Sequence, residues 1–438
     1  MKTNMQKYPD YKDSGVEWLG DIPTHWYTLS NKNIFKLKKN QVGKKSCDYV
    51  LLSLTLNGVI KRDMENPQGK FPAEFNTYQE VKKGDFIFCL FDVEETPRCV
   101  GLSDFDGMIT GAYTVMEPYE NFERNFLYYF YLNLDADKRL KPLYTGLRNT
   151  ISKENFFSFK TYVPPLPEQI AIAAFLDHKT ALIDQAIGIN QKQIELLKER
   201  RQIHIHNAVT RGLNPNVKMK DSGVEYLGDI PKEWNVVRFK YIIRTKARLG
   251  WKGLKASEYV DNSDYGFLAT PNIKGENIDY SGAYFITKKR YEESPEIMLK
   301  KDDILLVKDG STLGIINIVK SMPFNCTVNS SIAVLRILDD NLLNAEYLNY
   351  FLKSDYSQKI IELKKDGMGV PHLFQSDINN FIALIPTFKE QKEIVIHIEK
   401  QITKTSTAIS LKEQEIEKLK EYKATLINSA VTGKIKVC

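Results

Sequence analysis

The chain has 438 residues, with 61 basic against 55 acidic side chains and a net charge of +6. At 42% apolar and 26% charged residues it can build real cores, which excludes a disordered or collagen-like chain, and its length suits two or three domains of ~100–200 residues. No run approaches the ~18 consecutive apolar residues of a membrane helix. The first thirty residues, charged at Lys2, Lys7, Asp10, Lys12 and Asp13, lack the apolar stretch of a secretory leader. A cytoplasmic location without a membrane partner is expected. The five cysteines are scattered, with no CxxC pair or Cys/His ligand spacing, so neither disulfides nor structural zinc is expected.

The first feature in chain order is a motif that occurs twice. Residues 12–26 read KDSGVEWLGDIPTHW and residues 220–234 read KDSGVEYLGDIPKEW, identical at twelve of fifteen positions. Internal repetition of this kind decides architecture before any local pattern does. Directly after each copy comes a basic run without a single acid. The first carries Lys32, Lys36, Lys38, Lys39, Lys44 and Lys45; the second carries Arg238, Lys240, Arg244, Lys246, Arg248, Lys252 and Lys255. Phe35, Gly43, Tyr241, Gly250, Trp251 and Gly253 interleave them. A single basic run is ordinarily a solvated face. Two at the same place in duplicated units suit phosphate contacts, where each neutralised phosphate releases counterions.

The bodies that follow, residues 27–162 and 235–384, hold short strand-like runs at 49–56, 85–91, 303–307 and 331–337. Turn signals stand at Asn57-Gly58, Asp106-Gly107, Asp309-Gly310 and Asp366-Gly367. Helices are predicted over 122–137 and 345–363. Each body therefore reads as an α+β domain with an irregular sheet. A weak echo links them, KKGDFI at 82–87 against KKDDIL at 300–305. Near the end of each body stand further candidate DNA contacts: Arg148 and Asn149 in TGLRN, and Lys364, Lys365 and His372 in KKDGMGVPH. Arg and Asn are the common readers of guanine and adenine edges. Lys308 in KDGSTLG is a further candidate. With Lys36, Lys38, Lys39, Lys44, Lys45, Arg244, Lys246, Arg248, Trp251 and Lys252 they form the candidate DNA-binding set.

After each body lies a long proline-free tail rich in helix formers. Its apolar positions alternate in steps of three and four. The seam includes Ile187, Asn190, Ile194 and Leu197 in the first tail, and Ile409, Lys412, Ile416 and Leu419 in the second. Two diverged copies keep the same phase, so both tails are coiled-coil-grade helices whose obvious partners are each other. Residues 168–209 alone would span about 63 Å at ~1.5 Å per residue. Asn190 and Lys412 occupy equivalent seam positions, where polar residues either fix register or mark a hydrated stretch. Leu182, Ile189, Leu196 and Ile203 run along a second line that one partner helix cannot cover. That line serves either further protein contacts or packing on the adjoining body.

No reaction is legible. GxxxxGK[ST] and a strand-linked GxGxxG are both missing, so neither ATP nor a dinucleotide cofactor is implied. Residues 163–166, VPPL, lack the Asn or Asp that an amino-methyltransferase site places before its prolines. Glu80-Val81-Lys82 and Glu362-Leu363-Lys364 match the end of a metal-nuclease pattern, but no aspartate partner is evident. No catalytic residue, metal ligand or cofactor is expected.

The order of these parts resembles the specificity subunit of a type I restriction-modification system. The likeness covers nearly the whole chain and is carried by GVEWLGDIP and GVEYLGDIP, by PLPEQ and FKEQ at the helix starts, and by AVTRG and AVTGK at the helix ends. It implies two tandem target-recognition domains, each followed by a long helix, with the two helices paired as an antiparallel coiled coil. The corresponding boundaries are 1–165 and 214–385 for the domains, and 166–213 and 386–438 for the spacer helices. It also implies that each domain reads one half of a bipartite site in double-stranded DNA. The helices would set the gap and dock two DNA-methyltransferase subunits. Restriction subunits with ATP-dependent translocase and nuclease activity would complete the complex. Lys389 replaces the second proline of PLPEQ, so a different start is expected for the second helix. A coiled-coil scaffold and a stand-alone nuclease are the alternatives that the residues leave open.

Overall fold

The computed structural model describes residues 6–64, 75–247, 254, 256–365 and 371–437. The chain forms two compact units, Met1–Asn190 with Glu413–Cys438 and Gln191–Lys412. Each unit holds one body and a part of each long helix.

In the first unit, strands Tyr11–Asp13 and Asp21–Pro23 form a hairpin in which Lys12 opposes Ile22. Ile22 and Trp26 are buried. The chain then enters strand Tyr27–Ser30, which pairs antiparallel with Lys160–Val163 just ahead of the long helix. This pairing brings the two ends of the body together. Between them lies a four-stranded antiparallel sheet in the order Phe35–Leu37, Thr114–Pro118, Phe86–Phe88, Val100–Leu102. Helix Arg124–Ala136 is capped by Glu123, which accepts from the Asn125 N–H, and it buries Phe126, Leu127, Phe130, Tyr131 and Leu134. The spacing of those residues gives one apolar face. Phe35, Phe86, Phe88, Tyr131 and Phe156 pack in the core beneath it. The Tyr131 hydroxyl is satisfied there by Asn31 and Thr161 at 2.6 and 2.7 Å.

The second unit repeats this plan. Hairpin Met219–Asp221/Asp229–Pro231 keeps the same register, Lys220 against Ile230. Asn235–Arg238 pairs with Ile382–Ile385. The four-stranded sheet runs Ile243–Lys246, Ile332–Ile337, Ile304–Val307, Ile316–Ile318. A three-stranded sheet of Tyr284–Phe285, Tyr265–Leu268 and Asn325–Val328 adjoins it, the last pair parallel. The helix expected over 345–363 is two helices, Ala345–Leu352 and Asp355–Lys364. Ser354 breaks it, because its side chain accepts from the Ser357 N–H and starts a new helix in place of continuing the old one.

The KKGD and KKDD echo forms one turn used twice. The Asp85 carboxylate accepts from the Lys82 N–H and the Asp303 carboxylate from the Lys300 N–H, both at 2.7 Å. Each acid is buried and carries a cation, Lys38 at 2.6 Å in the first body and Arg336 at 2.6 Å in the second.

The long helices are Leu166–Arg211 and Phe388–Val431, 46 and 44 residues. Both start two residues after the shared proline, Pro164 or Pro386, so Lys389 does not change the start. The first-turn amides have no intrahelical acceptor, so a proline there loses no hydrogen bond and a lysine gains none. In the first unit, Ile183 and Ile187 share a core with Leu419, Leu426 and Ile427, and Asp184 pairs with Lys423 at 2.7 Å. In the second, Ile205, Ala208 and Val209 share a core with Ile394, Val395, Ile398 and Ile402. Asn190, Ile194 and Ile416 are buried; Ile187, Leu197, Ile409, Lys412 and Leu419 are half-buried. Leu182, Ile189, Leu196 and Ile203 are all exposed.

Candidate nucleic-acid interface

The repeated frame residues hold the bodies to the helices. The Trp26 indole donates to Glu168 at 3.0 Å, and the equivalent Trp234 donates to Glu390 at 3.1 Å. Glu168 also receives the Tyr8 hydroxyl at 2.5 Å and meets His25 Nε2 at 2.7 Å. Glu390 lacks those neighbours, and burial pushes its carboxyl above the ordinary glutamate value against the Trp234 hydrogen bond. Buried Gln169 accepts from the Glu123 N–H at 2.9 Å and donates to the Pro164 carbonyl at 2.8 Å. Gln391 does the same with Asn344 and Pro386, at 2.8 and 3.0 Å, and also donates to Leu342. Glu-Gln at each helix start is thus a two-part clamp, on the repeated tryptophan and on the N-terminus of the body's own helix.

The sheets place the candidate cations. Phe35–Leu37 and Phe86–Phe88 both run antiparallel to the central Thr114–Pro118, so they run parallel to each other and end on the same side. Ile243–Lys246 and Ile304–Val307 stand in the same relation to Ile332–Ile337. Each basic run therefore leaves its sheet at the end where the loop after Phe88 or after Val307 emerges. The late-body loops come back to that end. The Ile151 N–H donates to the Leu90 carbonyl and the Leu373 N–H to the Lys308 carbonyl, both at 2.8 Å. In each body, elements far apart in sequence converge on one sheet end by matching hydrogen bonds.

Lys39 is exposed where the first run leaves its strand, and Lys44 and Lys45 are exposed in the 3-10 turn Gly43–Asp48 that follows; Lys36 is exposed within the strand, opposite Glu117 and toward the other sheet end. Arg148 is exposed at the tip of hairpin Tyr144–Thr145/Thr150–Ile151, and Asn149 beside it has left-handed backbone at φ +46°. In the second body Arg244 is exposed and Lys246 half-buried on strand Ile243–Lys246. Lys364 and Lys365 are exposed at the end of helix Asp355–Lys364, where Lys365 pairs with Glu362. Arg248, Trp251, Lys252 and Lys255, and the turn signal at Asp366-Gly367, lie outside the described residues.

Two candidates stand differently from their sequence reading. Lys38 has only 14% of its side chain exposed and is spent on Asp85. Burial pushes the Asp85 carboxyl above the ordinary aspartate value, and Lys38 and the Lys82 N–H oppose that rise. Lys308, 13% exposed, is bound to Asp309 at 2.9 Å. His372 Nδ1 holds the same carboxylate. Lys308 and His372 are thus brought together, but around an acid that sequence reasoning takes only as half of a turn signal. Sequence reasoning also misses Arg336, which supports the sheet through Asp303 and the Met298 carbonyl, since nothing in its surroundings in sequence marks it.

The nuclease-like residues do not converge. Lys82 pairs with Glu80 at 2.9 Å and holds its carboxyl below the ordinary glutamate value. Glu362 faces Lys365. Among the described residues no three His, Cys, Asp or Glu side chains gather as a metal site, and no helix is long and apolar enough to cross a membrane.

Two related α+β bodies, each with a strand of its basic run leaving the sheet at the end to which a late-body loop returns and each leading into a long helix, define a duplicated two-domain protein. The sequence model of the family described as "Type I restriction modification DNA specificity domain" matches residues 100–199 and 231–421, and the chain belongs to this family. It is 26% identical over 296 residues to the type I restriction enzyme MjaVIII specificity subunit of Methanocaldococcus jannaschii, covering 67% of this chain and 66% of that one, just under two thirds. The putative MjaX specificity subunit of the same organism is 23% identical over 433 residues, covering 96% of each chain. The EcoKI specificity subunit of Escherichia coli is 22% identical over 327 residues, covering 73% and 68%. In fold, the chain is similar to a solved structure described as the structural basis of complex assembly and conformational transition of the type I R-M system. The TM-score is 0.68 at 15% identity, over 94% of this chain and 98% of that one. The crystal structure of the HsdS subunit from Thermoanaerobacter tengcongensis gives a TM-score of 0.53 at 15% identity and the same coverage.

Proposed function

We propose that this chain is the DNA-reading subunit of a type I restriction-modification complex with DNA adenine methyltransferase activity, and that it has no catalytic centre of its own. Residues 27–162 read one half of a bipartite site in duplex DNA and residues 235–384 the other. The working boundaries are 1–165 and 214–385 for the recognition domains, 166–213 and 386–438 for the spacer helices. Lys36, Lys39, Lys44, Lys45 and Arg148, with Arg244, Lys246, Arg248 and Lys252, supply phosphate and base contacts. Lys38 and Lys308 act one step back, shaping the surfaces from which the others reach.

The observation that carries this reading is the convergence of a basic run and a late-body loop on one sheet end, twice, in a member of this family. Phosphate contacts fix register and base contacts supply selectivity, and both need cations on preset backbone. The helices pair antiparallel as a coiled coil and fix the separation of the half-sites, since half-site spacing follows protein geometry. Leu182, Ile189, Leu196 and Ile203 form the face that docks methyltransferase subunits, two per chain, with restriction subunits joining that assembly. The test is retention of duplex DNA by the chain with its methyltransferase partners. Sequence-selective, steeply salt-dependent retention is expected; equal retention of every sequence would favour a coiled-coil scaffold.

A further inference from the structure

The hairpin Tyr144–Thr145/Thr150–Ile151 ends in Gly146-Leu147-Arg148-Asn149. Leu147 is the most exposed large apolar side chain among the described residues. Its position is held, not frayed. Gly146 and Asn149 take left-handed backbone, φ +69° and +46°, which glycine adopts freely and asparagine tolerates. The hairpin base is anchored to the loop after Phe86–Phe88. The Asp92 N–H donates to the Arg148 carbonyl at 3.0 Å, the Val93 N–H to Asn149 at 3.3 Å and the Ile151 N–H to Leu90 at 2.8 Å. Ile151 itself is buried in the core. Arg148 lies only 4.0 Å from Asp92 and keeps 81% of its side chain exposed, so its guanidinium is available beside the leucine.

Leu147 stands exposed on a tip whose backbone is fixed, so its apolar side chain is presented to whatever the tip meets. A wedge of this kind beside an arginine is chemically suited to a base step. The guanidinium takes the phosphate or a groove edge, and the apolar side chain enters between bases and partly unstacks them. By sequence, Gly367-Met368 precede Pro386 at nearly the distance at which Gly146-Leu147 precede Pro164. A glycine followed by a large, flexible apolar residue therefore recurs in the second body, although those residues lie outside the described ones.

We propose that Leu147 is a wedge that inserts into the duplex at the half-site read by the first body, and so selects for a deformable base step there. This rests on the DNA-reading role proposed above. Pyrimidine–purine steps unstack most readily, so the wedge confers preference at a step that no hydrogen bond reads.

The test uses the complete complex with its methyltransferase subunits and a duplex carrying the methylation-mapped site. 2-Aminopurine replaces, one at a time, each half-site adenine other than the methylated one. Binding of the wild-type complex is expected to raise fluorescence at one step. Leu147→Ala is expected to abolish that rise and weaken site binding by about tenfold while leaving non-specific binding unchanged. Leu56→Ala, at another exposed hairpin tip, serves as control and is expected to leave the rise intact. Thermal unfolding and size-exclusion of each variant complex report folding and assembly. No fluorescence rise with the wild type, or a rise equal in Leu147→Ala, would overturn the wedge while leaving DNA reading intact. Loss of methyltransferase assembly in Leu147→Ala would overturn it in favour of a protein contact. If the wild-type complex shows no site selectivity at all, the DNA-reading role itself fails, and the wedge with it.

Discussion

Lys38 and Lys39 are neighbours in one basic run, yet the structure gives them opposite roles, and substituting each separates the two. Lys38→Ala removes the side-chain cation that holds Asp85 at 2.6 Å and leaves a carboxylate that is 4% exposed. Breaking a buried pair from one side costs about 3–5 kcal/mol. The lower end applies here, about 3 kcal/mol, because the Lys82 N–H still donates to Asp85. For a unit of this size that lowers the melting temperature by about 6–12 °C. The sign with pH also follows. The Asp85 value is raised in the folded chain above the unfolded 3.8, so the folded state binds the extra proton. Stability therefore falls as pH rises from 3.8 through the folded value. Removing Lys38 raises that value further, so the penalty of Lys38→Ala is larger at about pH 8 than at about pH 5. Adding Asp85→Asn restores most of the loss. Lys39→Ala, at an exposed site, leaves stability unchanged and reduces the salt dependence of DNA binding by about 0.9 in the logarithmic slope. Urea unfolding at two pH values and salt-titrated DNA binding measure both. Equal stability of the two single variants, or no rescue by Asp85→Asn, would refute the buried-pair assignment.

Four further outcomes are expected. Gln391→Leu strands the Asn344 N–H and two carbonyls at a fully buried site; a loss of about 3 kcal/mol is expected by urea unfolding. Burial holds the His206 imidazole below its ordinary value, and its Nδ1 has no partner among the described residues. The unfolded chain then binds the proton first, so stability should fall as pH drops from 6.5 through the folded value, and His206→Phe should flatten that limb in pH-dependent unfolding. Inserting four residues into either long helix is expected to lengthen the recognised gap or abolish assembly, as read by methylation mapping. Ile189→Glu together with Leu196→Glu, both at exposed positions on the first long helix, is expected to weaken methyltransferase binding without changing the melting temperature, as read by size-exclusion and thermal unfolding.

The repeat and the two long helices are legible in sequence because they rest on short-range signals: near-identical words, proline punctuation and a period close to that of the helix. Pro164 and Pro386 mark both helix starts to within two residues. The break at Ser354 has a local signal too, a capping serine, but Tyr356, Ile360 and Ile361 continue the apolar period across it and mask the stop. The roles of Lys38 and Lys308 are not legible, because a basic run carries no sign of which members face a buried acid. Asp85 lies 47 residues from Lys38 and is brought across the central strand by sheet order alone. Sheet order and register are long-range, and they also bring each late-body loop back to the sheet end at which the strand of its basic run ends. Glu168 and Glu390 show the converse. The sequence marks both as repeated, and only their contact with Trp26 and Trp234 says why.

The most direct test of the bipartite reading is to replace residues 27–162 with the corresponding body of another specificity subunit and map methylation genome-wide. One half of the methylated site should change, while the other half and the gap stay the same. A change in both halves, or in neither, would contradict it.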